Sequence, residues 1–108
     1  LNEMVSGGKF GIVIDEKKLP VTAGVKTACE LLGFDPLYLA CEGRVIVVVQ
    51  RDDEDKILRA MRRDSLGKRS CIIGRVTKEY RGKVYLNTAS GGKRIVGMLT
   101  GEQLPRIC

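Results

Sequence analysis

Residues 45–49 read Val-Ile-Val-Val-Val, and nothing charged interrupts them between Arg44 and Gln50. Successive β-branched side chains lose χ1 freedom against a helical turn and pack well on a pleated surface. The run therefore predicts a strand over 44–50. Because it is apolar at nearly every position, it predicts a strand buried on both faces, within a sheet that helices help to cover. It is far too short to span a bilayer.

The rest of the chain supplies the helices and further strands. Leu1–Met4 reads as the last turn of a helix stopped by Gly7-Gly8. Residues 10–14, Phe-Gly-Ile-Val-Ile, read as a short strand ended by the charged run 15–18. Pro20 precedes a helix with Thr22 as its candidate cap. Val21, Val25, Ala28, Cys29 and Leu32 recur there at helical spacing, and Gly33 ends the element. Asp52-Asp53-Glu54-Asp55 load the start of another helix with negative charge, where the dipole favours it. Ile57, Leu58 and Met61 form its expected buried stripe, and Gly67 breaks it. Residues 71–76 and 83–86 predict two strands, and Arg81-Gly82 between them predicts a hairpin. Ile95-Val96 predicts a last short strand. This order implies an α+β fold: a mixed, mainly antiparallel sheet with helices packed on one face, plus a flexible C-terminal tail. The expected boundaries are 1–100 for the domain and 101–108 for the tail.

Charge is unevenly placed. Residues 1–60 carry 8 Lys/Arg against 10 Asp/Glu, a net of −2, whereas residues 61–108 carry 11 against 3, a net of +8. The basic half suits an anionic partner: a nucleotide, a nucleic acid or an acidic protein surface. It equally suits a solvated face that keeps the domain soluble. Only Tyr80 and Tyr85 could offer stacking surfaces among the basic strands. Cysteines stand at 29, 41, 71 and 108, none at C-x-x-C spacing, and histidine is absent, so no metal site is expected. Cys29, at an apolar helical position, and Cys71, at the head of an apolar strand, read as small core residues. No signal-like segment opens the chain, which points to the cytoplasm.

Three features could carry chemistry. The chain ends Leu104-Pro105-Arg106-Ile107-Cys108. Pro105 fixes its own φ and pushes Leu104 into an extended shape, and the last three residues are too few to form an element. Cys108 is thus expected on a short mobile arm, its thiol available rather than strongly activated; a chance terminal cysteine is the plain alternative. Glu42, in Ala-Cys-Glu-Gly, sits at the mouth of the predicted 44–50 strand, where a desolvated carboxylate can act as a general base. A solvent-exposed turn carboxylate is the alternative there. Finally, Ser-Gly-Gly-Lys occurs at 6–9 and at 90–93. Its glycines could let N–H groups approach a phosphate. Neither copy is a P-loop, which needs glycines further apart and a helix behind. The first more simply ends a helix, and the second more simply turns the chain.

Longer stretches carry a resemblance. Residues 101–108, Gly-Glu-Gln-Leu-Pro-Arg-Ile-Cys, look like the C-terminus of the HypE hydrogenase maturation factors. Residues 31–43, LLGFDPLYLACEG, resemble the central stretch of the same proteins, where asparagine often stands in place of Cys41. IIGRV, GKVYLNTASGGKRIV and the opening LNEM…SGGKFGIVID also fit, so the likeness runs the length of the chain. The middle matches are shared with the wider family of AIR-synthase-related proteins, as a C-terminal domain.

The resemblance implies a concrete chemistry. Cys108 would carry a carbamoyl group delivered by a HypF-like carbamoyltransferase. An ATP-dependent dehydration would convert the S-carboxamide to a thiocyanate, with Glu42 as the base that takes a proton from nitrogen. The cyano group would pass to iron held by a HypC–HypD-like complex, as a ligand of [NiFe] hydrogenase. The family's ATP-binding N-terminal domain, with its DPTRGG-like stretch, is not in this sequence, so ATP is expected to bind mainly outside it and this segment alone to be inactive. The full-length family protein would be a homodimer, with neither membrane nor nucleic acid among its partners. From a different class, the charge alone supports a basic binding module for nucleic acid or an acidic protein partner.

Overall fold

The structure, a computed structural model, describes residues 1–98. Its organising element is the strand β1, Gly11–Asp15, which follows a short helix α1, Asn2–Val5. Next come two ten-residue helices, α2 (Ala23–Leu32) and α3 (Glu54–Arg63), then strands β2 (Gly74–Thr77), β3 (Val84–Asn87) and β4 (Lys93–Ile95). The strands form one four-stranded mixed sheet in the order β2-β1-β3-β4. β1 runs antiparallel to β2 and parallel to β3, and β3 runs antiparallel to β4. The α+β class and the mixed, mainly antiparallel sheet agree with the sequence pattern.

Two compact units divide the chain. The first comprises Leu1–Pro20 and Val48–Gly97 and holds the sheet, α1 and α3. Its buried side chains are Val5, Ile12, Val13, Ile14, Val84, Leu86 and Val96. Paired residues share a face of a pleated sheet, so Ile12 and Ile14 of β1 lie on the same side as Val84 and Leu86 of β3. Burying each of these four contributes roughly 1.5–3 kcal/mol relative to leaving it in water. Gly11 opens β1 because a side chain there would strike the backbone of Glu79 and Tyr80. The second unit includes Val21–Val47 and holds α2. Thr22 stands at the N-cap of α2 without a side-chain cap bond, and Gly33 closes it at φ +71°. A left-handed C-terminal residue of this kind suits glycine.

Several expectations fail. The hairpin expected between residues 71–76 and 83–86 does not form, because β1 lies between β2 and β3. The connection turning at Arg81-Gly82 is tied to β1 instead: Gly82 N donates to Phe10 O, and Ile12 N to Lys83 O. The run at 44–50 does not form the expected buried strand among the described residues. Among the described residues the backbone of 44–49 makes no hydrogen bond, and exposure ranges from 38% at Val49 to 71% at Val45. Cys71 is exposed, its Sγ 3.4 Å from Lys18 O, rather than buried in a strand. In α2 only Cys29 of the expected stripe is buried, while Val25 and Leu32 face outward.

Candidate functional site

Side chains that could act together collect where the two parallel strands end. β1 closes on Asp15 and β3 on Asn87, which are register partners. Sites in sheets with parallel strands commonly form beyond such carboxyl ends. Here Asn87 Nδ2 donates to Asp15 Oδ1 at 2.6 Å, and Lys18 Nζ lies 3.1 Å from Asp15 Oδ2. The Asn87 bond foremost, then the bond and charge of Lys18 with a further contribution from Arg75, hold the Asp15 carboxyl below its ordinary value; modest desolvation opposes them. The turn Glu16–Lys18 follows β1 directly. With the loop after β3 it lines an open cavity of about 230 Å³, whose wall includes Asp15, Glu16, Lys18, Asn87 and Thr88. Sequence reasoning did not find this cluster, since Asp15 and Asn87 meet only through the β1–β3 pairing.

The second Ser-Gly-Gly-Lys copy borders this cavity, and its geometry decides how it can be used. Ala89 N donates to Glu16 Oε2 at 2.6 Å, Gly91 N to Thr88 O at 3.0 Å and Gly92 N to Thr88 Oγ1 at 2.8 Å. These donors are already bound within the protein, and a carboxylate occupies the place an anion would need. The loop therefore does not fit a phosphate chain. In the first copy, Gly8 N is bound to Val5 O and Ser6 Oγ to Glu3 O, as at a helix end. These donors of the two copies are engaged within the protein rather than free for a phosphate.

Glu42 lies in an exposed turn with Gly43, which takes φ +73°. Cys41 beside it is exposed and free. Cys108 lies outside the described residues. Of the two sequence-derived site residues, the structure thus places Glu42 alone. Among the described residues no helix is long and apolar enough to cross a membrane.

Residues 1–87 match the profile of the AIR synthase related protein, C-terminal domain, family. The chain belongs to this family. Within it, the chain is 49% identical over all 108 residues to the carbamoyl dehydratase HypE of Rhodobacter capsulatus, covering 32% of that protein. A crystal structure of the hydrogenase maturation protein HypE in complex with ATP superposes with a TM-score of 0.88 at 36% identity. It covers the whole chain and 33% of its own length. A crystal structure of a HypE–HypF complex matches 90% of the chain and 31% of the solved one, with a TM-score of 0.81 and 45% identity. The chain thus spans about a third of the HypE relatives it matches, as an AIR-synthase-related C-terminal domain.

Proposed function

We propose that this chain is the part of a carbamoyl dehydratase that carries the reacting group. Cys108 takes a carbamoyl group onto its sulfur, and in the full-length protein the resulting S-carboxamide loses water to become a thiocyanate. The observation that carries this reading is the alignment of all 108 residues, through Cys108, with a relative named carbamoyl dehydratase at 49% identity.

The residue chemistry is consistent with it. A thiolate adds to an activated carbamoyl carbon and displaces the donor's leaving group. Forming the nitrile then requires loss of both protons from nitrogen and of the oxygen from carbon. Glu42 is the carboxylate assigned to accept a proton from that nitrogen, and its exposed turn leaves it accessible to a group brought from elsewhere. ATP is assigned mainly to residues outside this chain, in line with the solved HypE–ATP complex, of which this chain matches about a third, and the chain alone is inactive. A HypF-like carbamoyltransferase is the donor, in line with the solved HypE–HypF complex. A HypC–HypD-like iron complex as cyano acceptor, a homodimer of the full-length protein and a cytoplasmic setting complete the reading.

Intact-mass measurement of the full-length protein with the carbamoyltransferase, carbamoyl phosphate and ATP tests both residues. The wild type is expected to gain a carbamoyl group and then lose water from it. Cys108→Ala is expected to gain nothing, and Glu42→Gln to stop at the carbamoyl adduct. An adduct on Cys108→Ala overturns the carrier role; full dehydration by Glu42→Gln overturns the base.

A further inference from the structure

We propose that the polar face of the sheet around Arg75, Tyr80, Tyr85 and Lys93 is a docking surface for an acidic protein segment whose carboxylates alternate with apolar side chains. This does not rest on the roles of Cys108 and Glu42.

The register defines the face. Val13 pairs with Arg75 on one side and Tyr85 on the other, and Tyr85 pairs with Ile95, so these four form one row across the sheet. Asp15, Asn87 and Lys93 form the next row on the same side. The opposite side carries the buried Ile12, Ile14, Val84 and Leu86. The sheet is therefore two-sided; on the second side Val13 is buried at the centre of its row, and exposed cations stand at its edges, Arg75 on β2 and Lys93 on β4.

Those two cations are fixed on this face by the register, Arg75 opposite Val13 and Lys93 opposite Asn87. Neither forms an ion pair among the described residues, although Asp15 lies within electrostatic reach of Arg75 and Glu79 of Lys93. Lys78, Arg81 and Lys83 stand between them in sequence, and residues 75–93 hold Glu79 as their one acidic residue. Lys93 is also held in place. Tyr80 sits in the left-handed region at φ +54°, which is rare for a bulky residue. Its ring packs on Tyr85 with centroids 4.3 Å apart, and its hydroxyl accepts a hydrogen bond from Lys93 Nζ at 3.0 Å. A cation positioned before binding loses less freedom when a carboxylate arrives.

Two observations favour a peptide over a nucleic acid. The Tyr80 ring already engages Tyr85 and, at 4.9 Å, Lys93 Nζ, so it is a poor platform for a base. Ile95 lies two residues from Lys93 on the same face and is 51% exposed. A cation and an exposed aliphatic at that spacing match a strand-like segment with an acid and an apolar residue two apart. A phosphate backbone has no use for the isoleucine.

Fluorescence polarisation tests the proposal, with the 108-residue chain and two labelled probes: an alternating Glu-Val octapeptide and an oligothymidylate of equal charge. The octapeptide is expected to bind at low salt and weaken as salt rises. The pair Arg75→Gln and Lys93→Gln is expected to lower its affinity about fivefold, with each single variant lowering it less. Lys26→Gln, a cation of α2 paired with Glu30, is expected to leave it unchanged. All three side chains are exposed, so folding is not at stake. The proposal is overturned if the octapeptide does not bind, if the Arg75/Lys93 variants bind it as the wild type does, or if the oligothymidylate binds more tightly.

Discussion

Asn87 Nδ2 donates to Asp15 Oδ1 at 2.6 Å, and that one bond joins the ends of two parallel strands whose residues stand 72 apart in sequence. A hydrogen bond to a charged acceptor contributes more than a neutral one, and its loss leaves the acceptor under-satisfied. Asn87→Ala is expected to cost about 1–2 kcal/mol, the lower end reflecting partial exposure. Urea unfolding measures it, and an unchanged midpoint would show the bond to be idle.

The same carboxylate gives stability a pH dependence of fixed sign. Folding lowers the ionisation point of Asp15. Its contribution is therefore full above the unfolded-state value, 3.8, and is lost as pH falls through the lower folded value. The difference in melting temperature between wild type and Asp15→Asn should hold steady from neutral pH down to about 5 and shrink below 4. A difference that grows on acidification contradicts the assignment.

Leu86 is 1% exposed, whereas Leu31 of α2 is 81% exposed. Leu86→Ala is expected to lose about 2–5 kcal/mol through lost transfer energy and the cavity left behind. Leu31→Ala is expected to stay within about 0.5 kcal/mol. Parallel denaturant titrations separate the two.

Glycines should differ just as sharply. A methyl group at Gly11 meets the backbone of Glu79 and Tyr80, while Gly7 has open space around it. Gly11→Ala should therefore destabilise by about 1–3 kcal/mol. Gly7→Ala should be close to neutral, and equal effects at the two sites would show that the Glu79–Tyr80 backbone can move aside.

The exposed run offers a direct check. Val47 is 51% exposed. Val47→Lys should change the stability of this chain by no more than about 0.5 kcal/mol. A loss of several kcal/mol would mean that the run is buried after all.

What could be read from sequence was local. Gly33 marks the end of α2, the acidic residues 52–55 mark the start of α3, and the short apolar runs mark the sheet strands, because caps, dipoles and β-branching act over a few residues. The α+β class followed from their order. Pairing is not local. Arg81-Gly82 has the composition of a hairpin turn, and nothing nearby announces that a strand from residues 11–15 will lie between its arms. The Asp15–Asn87 cluster was hidden for the same reason. The run at 45–49 misled differently: its residues state that they suit a buried strand, not that a partner strand stands beside them among the described residues. Glu42 stands in a turn before that run, but exposed and without the expected strand beside it, whereas Cys108 falls outside the described residues. Its role rests on resemblance.

The central position of β1 also has a consequence for synthesis. β1 leaves the ribosome well before its partners: its antiparallel neighbour begins about 60 residues later and its parallel neighbour later still, and at ~5–20 residues per second that is a delay of several seconds. Through that interval Ile12 and Ile14 have no strand beside them. The nascent chain therefore presents its most hydrophobic strand well before the means to cover it exist, which makes β1 the segment expected to bind a chaperone during translation.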